Sequence, residues 1–458
     1  MYQIDFKKPI HVHFIGIGGI SMSGLAEILL KENFTISGSD SKPSALTAHL
    51  VNLGATIFFP QRAENIIDGV DVVVYTAAIH ADNPEFAEAV RQGLPMLSRA
   101  ELLGQLMMNY KIPIAISGTH GKTTATSMLS HILLEADTDP TISVGGMLHT
   151  IGGNIRVGHS DIFVTEACEY TNSFLNFLPK IGVILNVEED HMDFFKDIHE
   201  IRESFHKFAA LLPQDGALII HKNIESIETI TTGLDCPVIT YSETQDADYS
   251  AKDIVFDERG NASFDLYRRN VLADHIILSV AGKHNVSNAL SAIAVADLLE
   301  IPMEVIKTGI RSFTGTDRRF QYKGETNGFT IIDDYAHHPT EIRATLTSAF
   351  HYPHREIWCI FQPHTYTRTK AFFHEFAEAL SLADHVILAD IYAARETDTL
   401  GMTSEALAEE IKRIGGDAYY LSSFEEIEKF VLKKVIHGDL LITMGAGDVV
   451  NIGESLLK

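Results

Sequence analysis

The segment Gly118-Thr119-His120-Gly121-Lys122-Thr123-Thr124 constrains this chain more than any other. It follows the apolar run IPIAIS (112–117) and leads into the helical stretch ATSMLSHILLEA. A glycine turn that ends a buried strand and opens a helix belongs to a parallel sheet covered by helices. Backbone N–H groups of such a turn, together with the helix N-terminus, point at phosphate oxygens. Lys122 is expected to reach the β- and γ-phosphates, and the Thr123 hydroxyl to ligate Mg²⁺. A strict Walker pattern requires glycine at position 116, where this chain has Ile116, so the loop reads as a compressed variant.

The same strand–turn–helix pattern recurs along the 458 residues and divides them into three blocks, 1–109, 110–314 and 315–458. The first has strands HVHFIG, FTISGSD and DVVVYTAAI. It also has the helical stretches LAEILLKEN, NPEFAEAVRQG and SRAELLGQLMMNY. The second adds DIFVTEA and a long strand KIGVILNVEEDH (180–191). Short strands around 238–280, with DERGN as a hairpin turn, predict a small antiparallel annex. The third has FTIIDDY, REIWCIFQ, HVILADIY and DLLITMG alternating with helical stretches, which predicts another doubly wound sheet.

Charge narrows the partners. Lys plus Arg total 36 and Asp plus Glu 61, a formal charge of −25. A field this acidic repels nucleic acid and anionic membrane, although local basic groups and helix N-termini still accept a small anion. Three cysteines, Cys168, Cys236 and Cys359, are far apart and lack CxxC spacing, which argues against a disulfide frame or a zinc site. With no apolar run of spanning length and no secretory signal pattern, a cytoplasmic protein without membrane insertion is expected.

Further candidates sit where strands meet helices, the side of an open α/β sheet on which ligands bind. Glu166 and His191 lie at the ends of apolar strands. Glu166 suits Mg²⁺ beside Thr123, since Mg²⁺ takes oxygen ligands and few carboxylates, and His191 is a candidate for a second Mg²⁺ or for the reacting phosphate. Gly16, Gly18 and Gly19 form a dinucleotide-like turn with Ser21 at the third glycine position, and Asp40 stands where a ribose-binding acid would. That turn alone also fits an NAD(P)-dependent oxidoreductase, and the nucleotide loop alone a non-catalytic nucleotide sensor. His284, Asn285 and Asn288 open a helix and serve either as caps or as nucleotide contacts. Arg318 and Arg319 are candidate phosphate clamps and Arg368 a carboxylate clamp. Asp334, His337, His338 and His364 lie at two further strand ends.

Together, GIGGISMSG, GTHGKTT, Asn186 with Asp190-His191, GKHN, Arg318-Arg319-Phe320, DDYAHHP and FQPH resemble the Mur ligases, in that family's order. The resemblance implies an α/β protein of three domains. Two Rossmann-like doubly wound units flank a central P-loop ATPase-type domain with an antiparallel annex. It implies the cofactors ATP and Mg²⁺, with UDP-N-acetylmuramate and L-alanine as partners in amide formation, and a monomer or homodimer.

Carried over residue by residue, it implies catalytic roles for Lys122, His191, Arg319 and Asp334, and metal ligation by Thr123, Glu166 and His191. Nucleotide contacts fall to residues 118–124, His284, Asn285, Asn288 and Arg319. The UDP-sugar falls to Gly16, Gly18, Gly19 and Asp40, and the remaining substrate contacts to His337, His364 and Arg368. A sister ligase that attaches a recycled tripeptide shares nearly all these motifs. Two departures stand out: Thr365 occupies a position where relatives often have Arg, and ESFHKFA offers no clear counterpart of the modified lysine of other Mur ligases.

Overall fold

The computed structural model describes residues 3–458 apart from 77, 193 and 395. It contains three sheets and divides into two compact units. One comprises residues 1–187, 199–240 and 294–301, the other residues 188–198, 241–293 and 302–458.

In the first unit, β1 (His11–Ile15), α1 (Ile20–Lys31), β2 (Thr35–Ser39), α2 (Ala45–Asn52) and β3 (Thr56–Phe58) are followed by β4 (Val72–Tyr75), α3 (Pro84–Gln92), β5 (Met96–Ser98) and α4 (Arg99–Met107). The sheet order is β3-β2-β1-β4-β5, all parallel. The order reverses beside β1, so a crevice opens at the carboxyl ends of β1 and β4. Local chemistry sets the helix starts. Asn83 caps α3 with Pro84 at its first position, and Ser98 and Glu101 form a capping box on α4.

The unit continues with β6 (Ile112–Ser117), α5 (Lys122–Glu135), β7 (Thr141–Leu148), β8 (Gly153–Arg156), β9 (Ile162–Ala167), β10 (Ile181–Ile184), α6 (Ile198–Ala209), β11 (Ala217–His221), α7 (Glu228–Thr231) and β12 (Val238–Ser242). Strands β11-β10-β6-β9-β7 are neighbours and parallel, with β8 antiparallel at the edge. Strand β10 is shorter than the 180–191 run predicts, because Asn186 leaves the ladder to brace the glycine loop.

The second unit holds the annex, β13 (Tyr249–Phe256), β14 (Asn261–Arg268) and β15 (Val271–Ala281), all antiparallel as expected. Asp257 shapes the DERGN turn by accepting the N–H groups of Arg259 and Asn261. Then come α8 (His284–Leu298), α9 (Met303–Ser312), β16 (Gln321–Thr326), β17 (Phe329–Asp334), α10 (Pro339–Ala349), β18 (Ile357–Phe361), α11 (Tyr366–Ala371), α12 (Phe373–Leu380), β19 (His385–Leu388), α13 (Ser404–Arg413), β20 (Ala418–Tyr420), α14 (Phe424–Lys434), β21 (Leu440–Met444) and α15 (Val450–Leu456).

The last sheet runs β16-β17-β21-β18-β19-β20, parallel except for β16. Alternate residues of β18 enter opposite cores: Ile357, Cys359 and Phe361 one, Trp358 and Ile360 the other. Both faces are therefore covered, as a doubly wound sheet requires, and each large buried side chain contributes about 1.5–3 kcal/mol.

Candidate active site

The glycine loop leaves β6 and enters α5. Gly118 has φ +143°, and a Cβ there would stand 2.9 Å from Leu185 Cβ, so only glycine fits the close approach. Gly121 is left-handed at φ +83° and is the N-cap of α5, with no side-chain cap and no acid in the first turn. The helix N-terminus is thus open to an anion. Asn186 braces the loop: its carbonyl groups accept Thr119 N at 3.2 Å and His120 N at 2.7 Å, and Nδ2 donates to His120 O at 3.0 Å. Sequence reading quoted Asn186 within a motif but assigned it no role.

Lys122 Nζ lies 3.0 Å from Glu169 Oε2 and donates to the carbonyls of Gly118 at 2.5 Å and Thr119 at 3.1 Å. Burial lowers its pKa, but Glu169 and further acids outweigh that and raise it, so Lys122 is a fixed cation. The Thr123 hydroxyl donates to Glu166 Oε2 at 3.1 Å, and Gly145 N donates to Oε1 at 2.5 Å. A hydroxyl and a carboxylate side by side at the end of a phosphate loop are oxygen donors of the kind Mg²⁺ takes. Thr124 is buried at the start of the helix.

At the first glycine turn, Gly18 N donates to Asp40 Oδ2 at 2.8 Å while Ser41 N donates to Oδ1 at 2.7 Å. Asp40 therefore fixes the turn as well as facing the crevice. Gly19 caps α1 without a side-chain hydrogen bond. The glycine that lets α1 pack closely is Gly24. A Cβ there would lie 2.2 Å from Ile155 Cγ1. The GxGxxG template placed that glycine at position 21.

In the second unit, Arg368 pairs with Asp190 at 3.0 Å and reaches His364 Nδ1 at 3.3 Å. Asp190 Oδ1 also accepts His191 N at 2.7 Å. Burial pushes the Asp190 pKa up, but Arg368, His191 and His338 hold it well below the usual carboxylate range. The His364 ring stacks on Tyr392 and meets His337 edge-on. Sequence reading has Arg368 gripping a substrate carboxylate; in the structure a protein carboxylate occupies its fork, and Asp190 is a hub the motifs did not rank. His191 belongs to this unit, on a loop seven residues past β10, whereas Thr123 and Glu166 belong to the first.

Asp334 accepts Phe320 N at 2.9 Å and Ala336 N at 2.7 Å, and burial pushes its pKa up to about 6 against the pull of Arg319. Burial pushes His337 down to about 4, with Glu341 opposing. Arg319 lies over the Tyr335 ring at 5.5 Å and 3.8 Å from Glu341. Its neighbour Arg318 pairs with Asp333 at 3.0 Å and donates to the carbonyls of Gly445 and Gly447, a bracing role. Asn285 donates to Ala281 O at 2.6 Å and Asn288 to Asn285 Oδ1 at 3.0 Å, which ties the start of α8 to the end of β15. Burial and the charge of Arg319 lower the His284 pKa.

Residues 11–111 match the Mur ligase family, catalytic domain; residues 116–296 match the Mur ligase middle domain; and residues 318–447 match the Mur ligase, glutamate ligase domain. The chain is 60% identical over its whole length to the UDP-N-acetylmuramate–L-alanine ligase of Lachnospira eligens, all of which it covers. Among solved structures it is similar to the UDP-N-acetylmuramate–alanine ligase of Thermotoga maritima, with TM-score 0.81, 29% identity and 98% of each chain covered. It is also similar to a murein peptide ligase of Psychrobacter arcticus, with TM-score 0.71, 26% identity and 98% of each chain covered. An oxidoreductase reading of the first glycine turn gains no support from these relatives. The chain belongs to the Mur ligase family.

Proposed function

We propose that this protein joins L-alanine to the carboxylate of UDP-N-acetylmuramate while ATP is cleaved to ADP and phosphate. The observation that carries the reading is the open N-terminus of α5, with Lys122 as a fixed cation and the Thr123–Glu166 pair beside it. The 60% identical relative of that name supports the choice of substrates.

The physical problem is that a carboxylate is a poor electrophile. One of its oxygens attacks the γ-phosphorus, ADP leaves, and an acyl phosphate forms. The amine of alanine then attacks the acyl carbon, phosphate leaves, and the nitrogen gives up a proton. Lys122 and the α5 N-terminus neutralise charge on the transferring phosphoryl group, the main source of catalysis in such steps. Thr123 and Glu166 would hold Mg²⁺, which would supply Lewis acidity toward the phosphate oxygens, and His191 is the second unit's candidate for a further metal contact.

On the acceptor side, His364 and the Arg368 Nη1 beside it, which Asp190 leaves free of its own carboxylate, receive the alanine carboxylate. His337 is neutral near pH 7. Its Nδ1 lies 2.9 Å from the Tyr335 carbonyl, which fixes the proton there and leaves Nε2 to accept one. Arg319, Asp334, His284, Asn285 and Asn288 are the second unit's candidates for nucleotide contact. Gly16, Gly18, Gly19 and Asp40 hold the UDP-sugar.

This reading assigns residues 1–109 to the UDP-sugar, 110–314 to ATP and 315–458 to the amino acid. The protein acts in the cytoplasm, as a monomer or homodimer, in peptidoglycan precursor synthesis. Among the described residues, no helix is long and apolar enough to cross a membrane.

Phosphate release with ATP, Mg²⁺ and UDP-N-acetylmuramate is expected to depend on L-alanine. Release driven by the tripeptide and not by L-alanine would transfer the reading to the peptide-recycling ligase.

A further inference from the structure

Arg99 is the first residue of α4, directly after the Ser98 cap. Its half-buried guanidinium donates from Nη1 to Ser21 Oγ at 3.2 Å. Among the described residues this is the guanidinium's one hydrogen bond, and no carboxylate pairs with it. In a chain of net charge −25, a part-buried arginine without an acid is unusual, since burying an unpaired charge is costly. Burial lowers its pKa accordingly.

The surroundings indicate what such a cation is for. Ser21 lies in the first turn of α1, a helix of 12 residues that starts from Gly19 with no side-chain cap and no acid in its first turn. Arg99 is also within electrostatic reach of Cys168. Cys168 follows β9 directly and sits between Glu166 and Glu169, the acids beside Thr123 and Lys122. Strand β8 is tied to the same helix start, through Asn154 Nδ2 donating to Ile20 O at 3.3 Å and Ile155 packed on Gly24. Arg99 therefore stands beside the first glycine turn, in the same unit as the end of β9 that carries the phosphate-loop acids.

We infer that Arg99 is a substrate-binding residue that grips the diphosphate of the acceptor nucleotide-sugar beside the α1 N-terminus. The inference rests on the proposed function, which puts the UDP-sugar on the first glycine turn. Helix N–H groups alone supply partial charge, and a diphosphate carries more than they neutralise. A guanidinium adds a full positive charge and a planar fork that matches phosphate oxygens.

The test is calorimetric titration of UDP-N-acetylmuramate, UDP, uridine and ATP into the wild-type protein, Arg99→Met and Arg99→Lys. Arg99→Met is expected to weaken UDP and UDP-N-acetylmuramate by the same factor, about 10- to 100-fold. ATP and uridine should stay within about twofold of wild type, and Arg99→Lys should recover part of the loss. Wild-type UDP affinity in Arg99→Met overturns the inference, even if UDP-N-acetylmuramate is weakened, because the contact then lies on the sugar acid. Equal weakening of ATP overturns it too, since the effect is then a general disturbance of the unit. A wild-type protein that binds no UDP-N-acetylmuramate overturns the proposed function instead, in a measurement that does not involve Arg99.

Discussion

Lys122 in the first unit and His337 in the second are both crowded by protein, yet burial decides the charge of only one. At Lys122 the carboxylate of Glu169, 3.0 Å away, outweighs desolvation and keeps the ammonium charged. At His337 the Glu341 carboxylate, 3.3 Å from Nδ1, does not, and the ring is pushed down to about 4. Asp334, on the same side of the second unit's sheet, is pushed up to about 6. The first unit fixes its charges with dedicated partners, while the second keeps a proton acceptor neutral and an acid near its titration point. That division suits a reaction in which one site must hold a polyanion and another must take a proton.

Removing the fixed charge is the largest perturbation. Lys122→Ala is expected to lower alanine-dependent phosphate release by at least about 1,000-fold while circular dichroism stays unchanged. Retained turnover would break the contrast at its first member. Lys122→Arg keeps the charge but misplaces it, and should recover little.

The two regions also differ in how well the sequence announces them. The phosphate loop is contiguous, so Gly118, Gly121, Lys122 and Thr123 could be assigned from spacing alone. Its brace, Asn186, comes 64 residues after Lys122 and carries no spacing signature. In the second unit Asp190, His337, His364 and Arg368 arrive from three connections that only the fold brings together. Nothing local shows that Arg368 faces Asp190. Long buried strands such as β17, β18 and β21 were legible because both faces are apolar. The three-residue strands β3, β5 and β20 and the polar edge strand β16 were not, because an edge gains its pairing from a neighbour and not from its own pattern.

Acid sharpens the contrast. A histidine at 6.5 when unfolded and about 4 when folded leaves stability intact above pH 6.5 and removes it as pH falls toward 4. Asp334 has the opposite sign. Its folded pKa of about 6 exceeds the reference 3.8, so stability rises as pH falls from above 6 toward 3.8. The two nearly cancel in the wild type. His337→Asn removes one side of the balance, so the variant should gain about 2–3 kcal/mol over wild type between pH 7 and pH 4.5. Urea melts at the two pH values, with hydrogen exchange read on α10, measure this. An unchanged difference would mean that His337 titrates normally and that the two regions treat charge alike.

Arg368 and Asp190 form a tight ion pair at 3.0 Å, and so a place where the second region resembles the first. Arg368→Ala leaves Asp190 without its main partner and is expected to raise the KM for L-alanine by about 10- to 100-fold, with the KM for ATP little changed. Asp190→Asn in the same chain should be less than additive, with a coupling of about 0.5–3 kcal/mol. Strict additivity would separate the pair and make Arg368 a substrate contact that owes nothing to Asp190.

The smallest effect tests whether the first unit's geometry is held by packing rather than by charge. At Gly24 an added Cβ meets Ile155 Cγ1 at 2.2 Å and Cδ1 at 2.8 Å, and Ile155 sits on the short edge strand β8. Gly24→Ala should cost about 1–3 kcal/mol by overpacking, against about 1 kcal/mol gained from alanine's helix propensity. Ile155→Ala removes both colliding atoms, so in its presence Gly24→Ala should become neutral or stabilising. A double-mutant cycle on thermal melts measures this, with the KM for ATP expected to stay at wild type in all four proteins. If Gly24→Ala is harmless alone, α1 has room to shift against β8. The link between the two nucleotide sites would then rest on polar contacts such as Asn154 to Ile20, and the first unit would be no more rigidly organised than the second.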